Sequence, residues 1–281
     1  MDIRRRGSMG VASTTSNGSK INIDDYVTFE ALEDGFTFSL SRNNCEYCID
    51  GDDNWTTLTS GNTSNIINSG HTISIRANCT ISSSTGTTGG IGTFTLSKKC
   101  NVRGNSMALL YGDSGKDNLS LNGKSYAFNR LFNNATNLIS VSSDFLPATT
   151  LSTYCYYYMF YGCTGLISAP KLPATTLQQY CYYYMFRGCS SLTTAPDLLA
   201  TTLQRYCYQY MFQNCSKLNY IKAMFTTDPG NNNSSNQARY TYNWMSNVSS
   251  SGTFVKNSGA TWSRTGAHAV PSGWTTQTAS S

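Results

Sequence analysis

Three segments between residues 146 and 223 align without a gap: LPATTLSTYCYYYMFYGCTGLISAPK, LPATTLQQYCYYYMFRGCSSLTTAPD and LLATTLQRYCYQYMFQNCSKLNYIKA. The period is 26, carried by Leu151, Leu177 and Leu203, by Met159, Met185 and Met211, by Cys155, Cys181 and Cys207, and by Cys163, Cys189 and Cys215. A period in the twenties marks a leucine-rich-repeat solenoid, in which one copy cannot bury its apolar face alone and successive copies must stack. The repeated Leu, Met and second-Cys positions are therefore expected to form the structural core. A degenerate earlier copy, AFNRLFNNATNLISV, matches Phe132 to Phe160 through a link two residues longer, and places Ala127 and Ala135 at the two Cys positions.

Within each copy, the segment ending in GLISAP or SLTTAP is short, β-branched and closed by Pro, which reads as one strand per coil. The YCYYYMF segment is too rich in Tyr for an ordinary amphipathic helix and is expected to form a short helix or 3₁₀ turn on the opposite wall. Coils sharing a sheet rise by ~4.8 Å each, so equivalent side chains should form ladders, with Tyr154, Tyr180 and Tyr206 stacked in one of them.

The flanks have a different rhythm. Phe36, Phe38 and Leu40 alternate with Thr37 and Ser39; Ile73, Ile75, Ala77, Cys79 and Ile81 alternate with Ser74, Arg76, Asn78 and Thr80; Phe94 and Leu96 alternate with Thr95 and Ser97. Period-two patterning between Gly/Asn/Asp turns predicts a small β-sandwich-like unit that covers the open end of the first coil. Beyond Pro229 the polar stretch GNNNSSNQ reads as a loop. Trp244, Met245, Val248 and Phe254, with Trp262 and Trp274, then read as a C-terminal cap. The expected fold is mainly β: a basic arm (1–19), a β-sandwich-like domain (20–113), a short leucine-rich-repeat solenoid (114–228) and a C-terminal cap and tail (229–281).

Composition narrows the function. Only 12% of the 281 residues are charged, and the net charge of +5 is small and scattered, unlike a dedicated nucleic-acid binder. No run approaches the ~18 apolar residues of a membrane helix, so no membrane insertion is expected. Two histidines leave little material for acid–base chemistry near neutral pH, and no Ser-His-Asp, phosphate-loop or paired-carboxylate arrangement stands out. The expectation is a non-enzymatic protein without cofactor or metal. Arg4, Arg5 and Arg6 resemble the start of a signal peptide, but the apolar core that should follow is missing. They read instead as part of a basic arm that anchors the chain on a larger assembly.

Four motifs carry possible chemistry. Cys45 and Cys48 have the C-x-x-C spacing of redox and zinc sites, yet residues three apart on a strand point to opposite faces, which favours burial. The six repeat cysteines could bridge neighbouring coils, but the Ala pair in the degenerate copy argues for small, buried, free thiols. Asp50, Asp52 and Asn54 mimic the start of a calcium loop, although Trp55 and Gly61 stand where Gly and Glu are required. The Tyr clusters offer either structural ladders or a carbohydrate-binding surface. Tyr156, Tyr182 and Tyr208 form one candidate surface ladder; Tyr157 and Tyr183, followed by Gln209, form the next; only one of the two can face inward.

The pattern F-x-x-C-x-x-L with an LPATTL linker resembles the BspA-type leucine-rich repeats, which occur in surface proteins of gut Bacteroidetes and in proteins encoded by their bacteriophages. TFEALEDGFTFSL (28–40), YCIDGDDNWTTL (47–58), CNVRGNSMALLYGD (100–113) and GTFVKNSGATW with VPSGW (252–274) resemble segments that flank such repeats. The resemblance implies a binding and scaffold role with no catalytic residues. Two functions follow: a structural protein on the virion surface of a Bacteroidetes phage (head decoration or fibre, or tail-associated) that attaches to the host, or a bacterial cell-surface adhesin. The missing export signal favours the former. The implied partners are other virion proteins through the arm, a host-surface glycan or protein, and further copies of the chain in a homo-oligomer.

Overall fold

The computed structural model describes residues 20–82, 89–229 and 239–280. The arm with Arg4, Arg5 and Arg6 lies outside them. The architecture is mainly β, as the alternation predicts. Helix among the described residues amounts to one four-residue α-helix, α1 (Ala108–Tyr111), and two 3₁₀ segments, Ile23–Asp25 and Gly112–Asp117.

The N-terminal region supplies β1 (Val27–Ala31), β2 (Phe38–Leu40), β3 (Cys45–Ile49), β4 (Thr56–Leu58), β5 (Thr72–Arg76), β6 (Phe94–Leu96) and β7 (Cys100–Gly104). Five of these build a sheet in the order β4-β3-β5-β1-β7, every neighbour antiparallel. β2 and β6 pair as a separate ribbon, Phe38 opposite Leu96 and Leu40 opposite Phe94. The ribbon turns its apolar side onto the sheet: Phe29 of β1 meets Phe38 and Phe94 at ring centroid distances of 5.6 and 5.2 Å. In β5 even the polar Ser74 is buried, its hydroxyl 2.8 Å from that of Thr28; both faces are covered there, so the hydroxyls satisfy each other. The alternation that continues to Ile81 outlasts the strand. Past Arg76 the chain leaves the sheet, and the amides of Ala77 and Cys79 donate to the carbonyls of Ala108 and Leu109 in α1.

The sheet does not stop at the repeats. β8 (Leu138–Val141), from the degenerate copy, adds to the edge of β7 in parallel. Below it the strand positions of successive copies meet in single parallel bridges, Ser140 with Ser168 and Thr194 with Tyr220. β9 (Tyr220–Ala223), β10 (Gly252–Lys256) and β11 (Trp274–Thr278) then form a parallel three-stranded sheet. A second parallel seam, Leu172–Leu198–Ala223, runs along the LPATTL linkers.

The opposite wall is neither helix nor 3₁₀ turn. It is a run of tight turns in which every fourth residue has a positive φ: Tyr154, Tyr158 and Gly162 in one copy; Tyr180, Tyr184 and Gly188 in the next; then Tyr206, Tyr210 and Asn214. Alternate amides close the turns, as in Tyr157 N to Tyr154 O and Met159 N to Tyr156 O. The amides between them reach the next copy, as in Tyr156 N to Cys181 O and Phe160 N to Met185 O. In the runs 154–163 and 180–189 each backbone donor is thus satisfied without a helix. The C-terminal residues continue this wall. Tyr208, Tyr210, Phe212 and Asn214 donate to Tyr240, Tyr242, Trp244 and Ser246, Arg239, Asn243 and Asn247 have positive φ, and β10 pairs with β9 at the same 33-residue offset, Thr253 beside Tyr220.

Candidate functional site

The turn period decides which side chains reach the surface. Along residues 155–163 the burial runs two in, two out: Cys155 and Tyr156 in, Tyr157 and Tyr158 out, Met159 and Phe160 in, Tyr161 and Gly162 out, Cys163 in. Residues 181–189 repeat the pattern. A positive φ at each fourth residue reverses the chain's curl, so neighbours pair on a face instead of alternating.

The inward pairs make the core. Leu151, Leu177, Leu203, Met159, Met185, Met211, Cys163, Cys189 and Cys215 are all buried. Phe132, Phe160, Phe186 and Phe212 stack in near-parallel order at 5.4, 5.3 and 5.7 Å. Cys163, Cys189 and Cys215 each donate a thiol hydrogen to the carbonyl of the Phe one copy earlier (Phe132, Phe160, Phe186) at 3.0–3.1 Å. All ten cysteines are buried and unbridged.

Tyr156, Tyr182 and Tyr208 belong to this interior, which corrects their place as a candidate surface ladder. Each is 1% exposed, and they stack in register between Phe128 and Trp244. Tyr157 and Tyr183 are half-buried and stack at 5.1 Å; Gln209, which follows them in the ladder, turns in and is buried.

The outward residues form one continuous aromatic wall. Tyr126, Tyr154, Tyr180 and Tyr206 stack at 4.7, 4.4 and 4.5 Å. Tyr158, Tyr184 and Tyr210 stack at 4.5 Å per step, with Tyr242 edge-on at the end. Tyr157 and Tyr183 join the two ladders. Guanidinium groups lie on the rings: Arg130 over Tyr158 at 4.4 Å, Arg187 over Tyr184 at 5.1 Å, Arg205 over Tyr206 at 4.8 Å and Arg239 over Tyr242 at 5.2 Å. Burial and neighbouring phenols push the hydroxyls of Tyr154 and Tyr183 well above the usual phenol range, so they remain neutral. The Tyr154 ladder was legible from the period. The Tyr158 ladder and the four arginines were not, because a period-two reading puts residue 158 on the same face as 156, whereas the turns bury 156 and turn 158 outward.

The other motifs hold no site. Cys45 and Cys48 are both buried, on opposite faces of β3, and burial pushes their thiols up to about 12 and about 11. Asp50 is spent on His71 and on the amide of Thr72; Asp52 and Asp53 hold the amide of Asn54 and the indole of Trp55. His268 accepts the Asn243 amide at Nδ1, and burial lowers its pKa. No group of three or more His, Cys, Asp or Glu side chains among the described residues is placed to hold a metal ion, and no helix there is long and apolar enough to cross a membrane. Comparison with protein-family models, with curated proteins and with solved structures returned no match.

Proposed function

We propose that this chain is a non-enzymatic structural protein of a phage virion surface. In this reading a sandwich-like N-terminal unit closes one end of a short leucine-rich-repeat solenoid, and the solenoid attaches the particle to host-surface glycan or glycoprotein through its tyrosine wall. The carrying observation is the division of labour between ladders. The Phe132–Phe212 and Tyr156–Tyr208 stacks already fill the interior, so the second set of tyrosines is surplus to the core and lies at the surface. Tyr offers contact area and a hydroxyl at low entropy cost, which suits it to binding surfaces. Many copies on one particle convert weak contacts into avidity of about 100-fold or more.

The test replaces Tyr158, Tyr184 and Tyr210 with Asn, the residue that Asn243 places at the equivalent turn position. The Asn variant should keep its melting temperature within a few degrees, while the multivalent protein loses about 100-fold in adhesion to host cells. Undiminished adhesion would move the binding surface elsewhere on the molecule. Mass spectrometry of purified virions tests the location: the chain should be present, and lost from particles when residues 1–19 are deleted.

A further inference from the structure

We propose that the ligand of the tyrosine wall is an anionic polysaccharide. This rests on the wall being the attachment surface and adds the chemistry of what it selects. Stacking has closed the ring faces: within the ladders each tyrosine lies against the next at 4.4–4.7 Å with planes 12–23° apart. One end of each ladder is closed as well, by Arg130 on Tyr158 and by Arg205 on Tyr206, and Tyr242 lies edge-on against Tyr210. The wall therefore turns ring edges and hydroxyls outward. An aromatic ring is negative on its face and positive at its edge, so an edge-on wall repels nothing anionic and gives a neutral sugar no platform on which to stack.

Fixed charge points the same way. From residue 118 onward the chain has ten Lys and Arg against three acidic residues, Asp144, Asp197 and Asp228. All three are paired away from the wall, with Lys171, Lys222 and Arg264. The turn segments 124–135, 152–163, 178–189, 204–215 and 239–248 contain no acid at all. Among the described residues Arg130, Arg187, Arg205 and Arg239 take part in no ion pair, and the Nε groups of Arg130, Arg187 and Arg239 are covered without an acceptor. These cations are held by aromatic rings and left uncompensated, which keeps a positive field over the wall. The neutral phenols add hydrogen-bond donors without adding negative charge. Single-stranded nucleic acid, the other common polyanion, needs open ring faces on which its bases stack in succession; within the ladders each face is taken by the next tyrosine.

The experiment compares binding of the full chain to immobilised dextran sulfate and to unmodified dextran. Binding to dextran sulfate that weakens as salt rises, with none to dextran, is the expected result. Changing Arg130, Arg187, Arg205 and Arg239 together to Gln should weaken it about tenfold or more, the sum of four exposed-charge contacts. Lys171→Gln with Lys222→Gln, on the linker side, should stay within about twofold because those charges are already paired. If the four-Gln variant melts early, the corresponding four-Lys variant, which keeps the charge, must retain binding. Equal binding to both polymers, unchanged binding by a stably folded four-Gln variant, or tighter binding to oligo-dT than to dextran sulfate would each overturn the inference. The two ideas fail differently. Adhesion that survives Tyr→Asn at 158, 184 and 210 overturns the wall as attachment surface, whereas adhesion lost in that variant and kept by the four-Gln variant overturns only the anionic selectivity.

Discussion

The region up to residue 117 and the repeats that follow reach the same end, a chain with its apolar side chains inside, by different backbone rules. The first alternates residue by residue on antiparallel strands, so β6 buries Phe94 and Leu96 and exposes Thr95. The second pairs its residues two in and two out on positive-φ turns. Their charge differs too: eleven acids against seven Lys and Arg in residues 20–117, then three against ten from residue 118 on. The comparison teaches that a repeat whose backbone bonds run from copy to copy can place bulky aromatics on both faces. Each ring packs on its own equivalent one copy away, so neither side needs a partner element. The cost is a left-handed backbone at Tyr, about 1–2 kcal/mol per residue, offset by stacking and by the copy-to-copy hydrogen bonds.

Despite that difference, one buried cluster runs from Val27 to Trp274, joined where Phe94 meets Phe132 at 5.5 Å. The largest way to break the comparison is alkali, since both regions bury thiols that burial pushes up: Cys79 and Cys100 to about 12 in the first, Cys181 and Cys215 to about 12 in the second. An unfolded Cys titrates near pH ~8.5. Above that the unfolded chain holds fewer protons than the folded one, so stability is full below pH ~8.5 and falls as pH rises toward the folded values, each thiol contributing up to about 1.4 kcal/mol per pH unit. Denaturant titrations at pH 7, 9 and 10 should show a steep loss, with both regions failing together when followed residue by residue through hydrogen exchange of the β1–β7 amides and of the turn-wall amides. Separate midpoints would show two cores where the packing has one.

Next in size is the middle of the interior stack. Phe160→Ala removes a ring held between Phe132 and Phe186 and should cost about 3–5 kcal/mol in equilibrium unfolding. A cost below about 1 kcal/mol would mean that the repeats close up around the gap, which strand-paired cores do poorly. The smallest effects separate two glycines of one turn position. Gly162 and Gly188 have φ of 72° and 78°. A Cβ on Gly162 would run into the side chain of Asn134, whereas one on Gly188 finds its nearest atom, Gly162 Cα, at 3.6 Å. Gly162→Ala should therefore cost more than the ~1–2 kcal/mol of the backbone conformation, and Gly188→Ala about that amount. Equal melting temperatures for the two variants would remove the crowding between copies from the account.

Much was legible without coordinates. The 26-residue period identified the stacked copies and most of their core, because a position that stacks on its own equivalent must suit that equivalent. Alternation located β2 and β6, because a strand with one buried face has period two. The Ala pair at 127 and 135 pointed to unbridged thiols. The continuation of the wall through residues 239–248 was hidden: Thr241 stands where Tyr208 stacks, Met245 where Phe212 does and Val248 where Cys215 does. Only the spacing of Asn243 and Asn247 kept the turn pattern, and a turn residue every four positions is a weaker signal than a side-chain repeat.

What the sequence determined by itself was the stacking, since identical copies with one apolar side each have nowhere else to bury it. What tertiary structure decided was which tyrosines face out. That choice depends on φ at residues such as Tyr154 and Tyr158, and no local propensity sends Tyr to the left-handed region. It is held there by the amides that Tyr154 and Tyr158 donate to Gln179 and Tyr183 of the next copy, bonds that exist only once the copies have stacked.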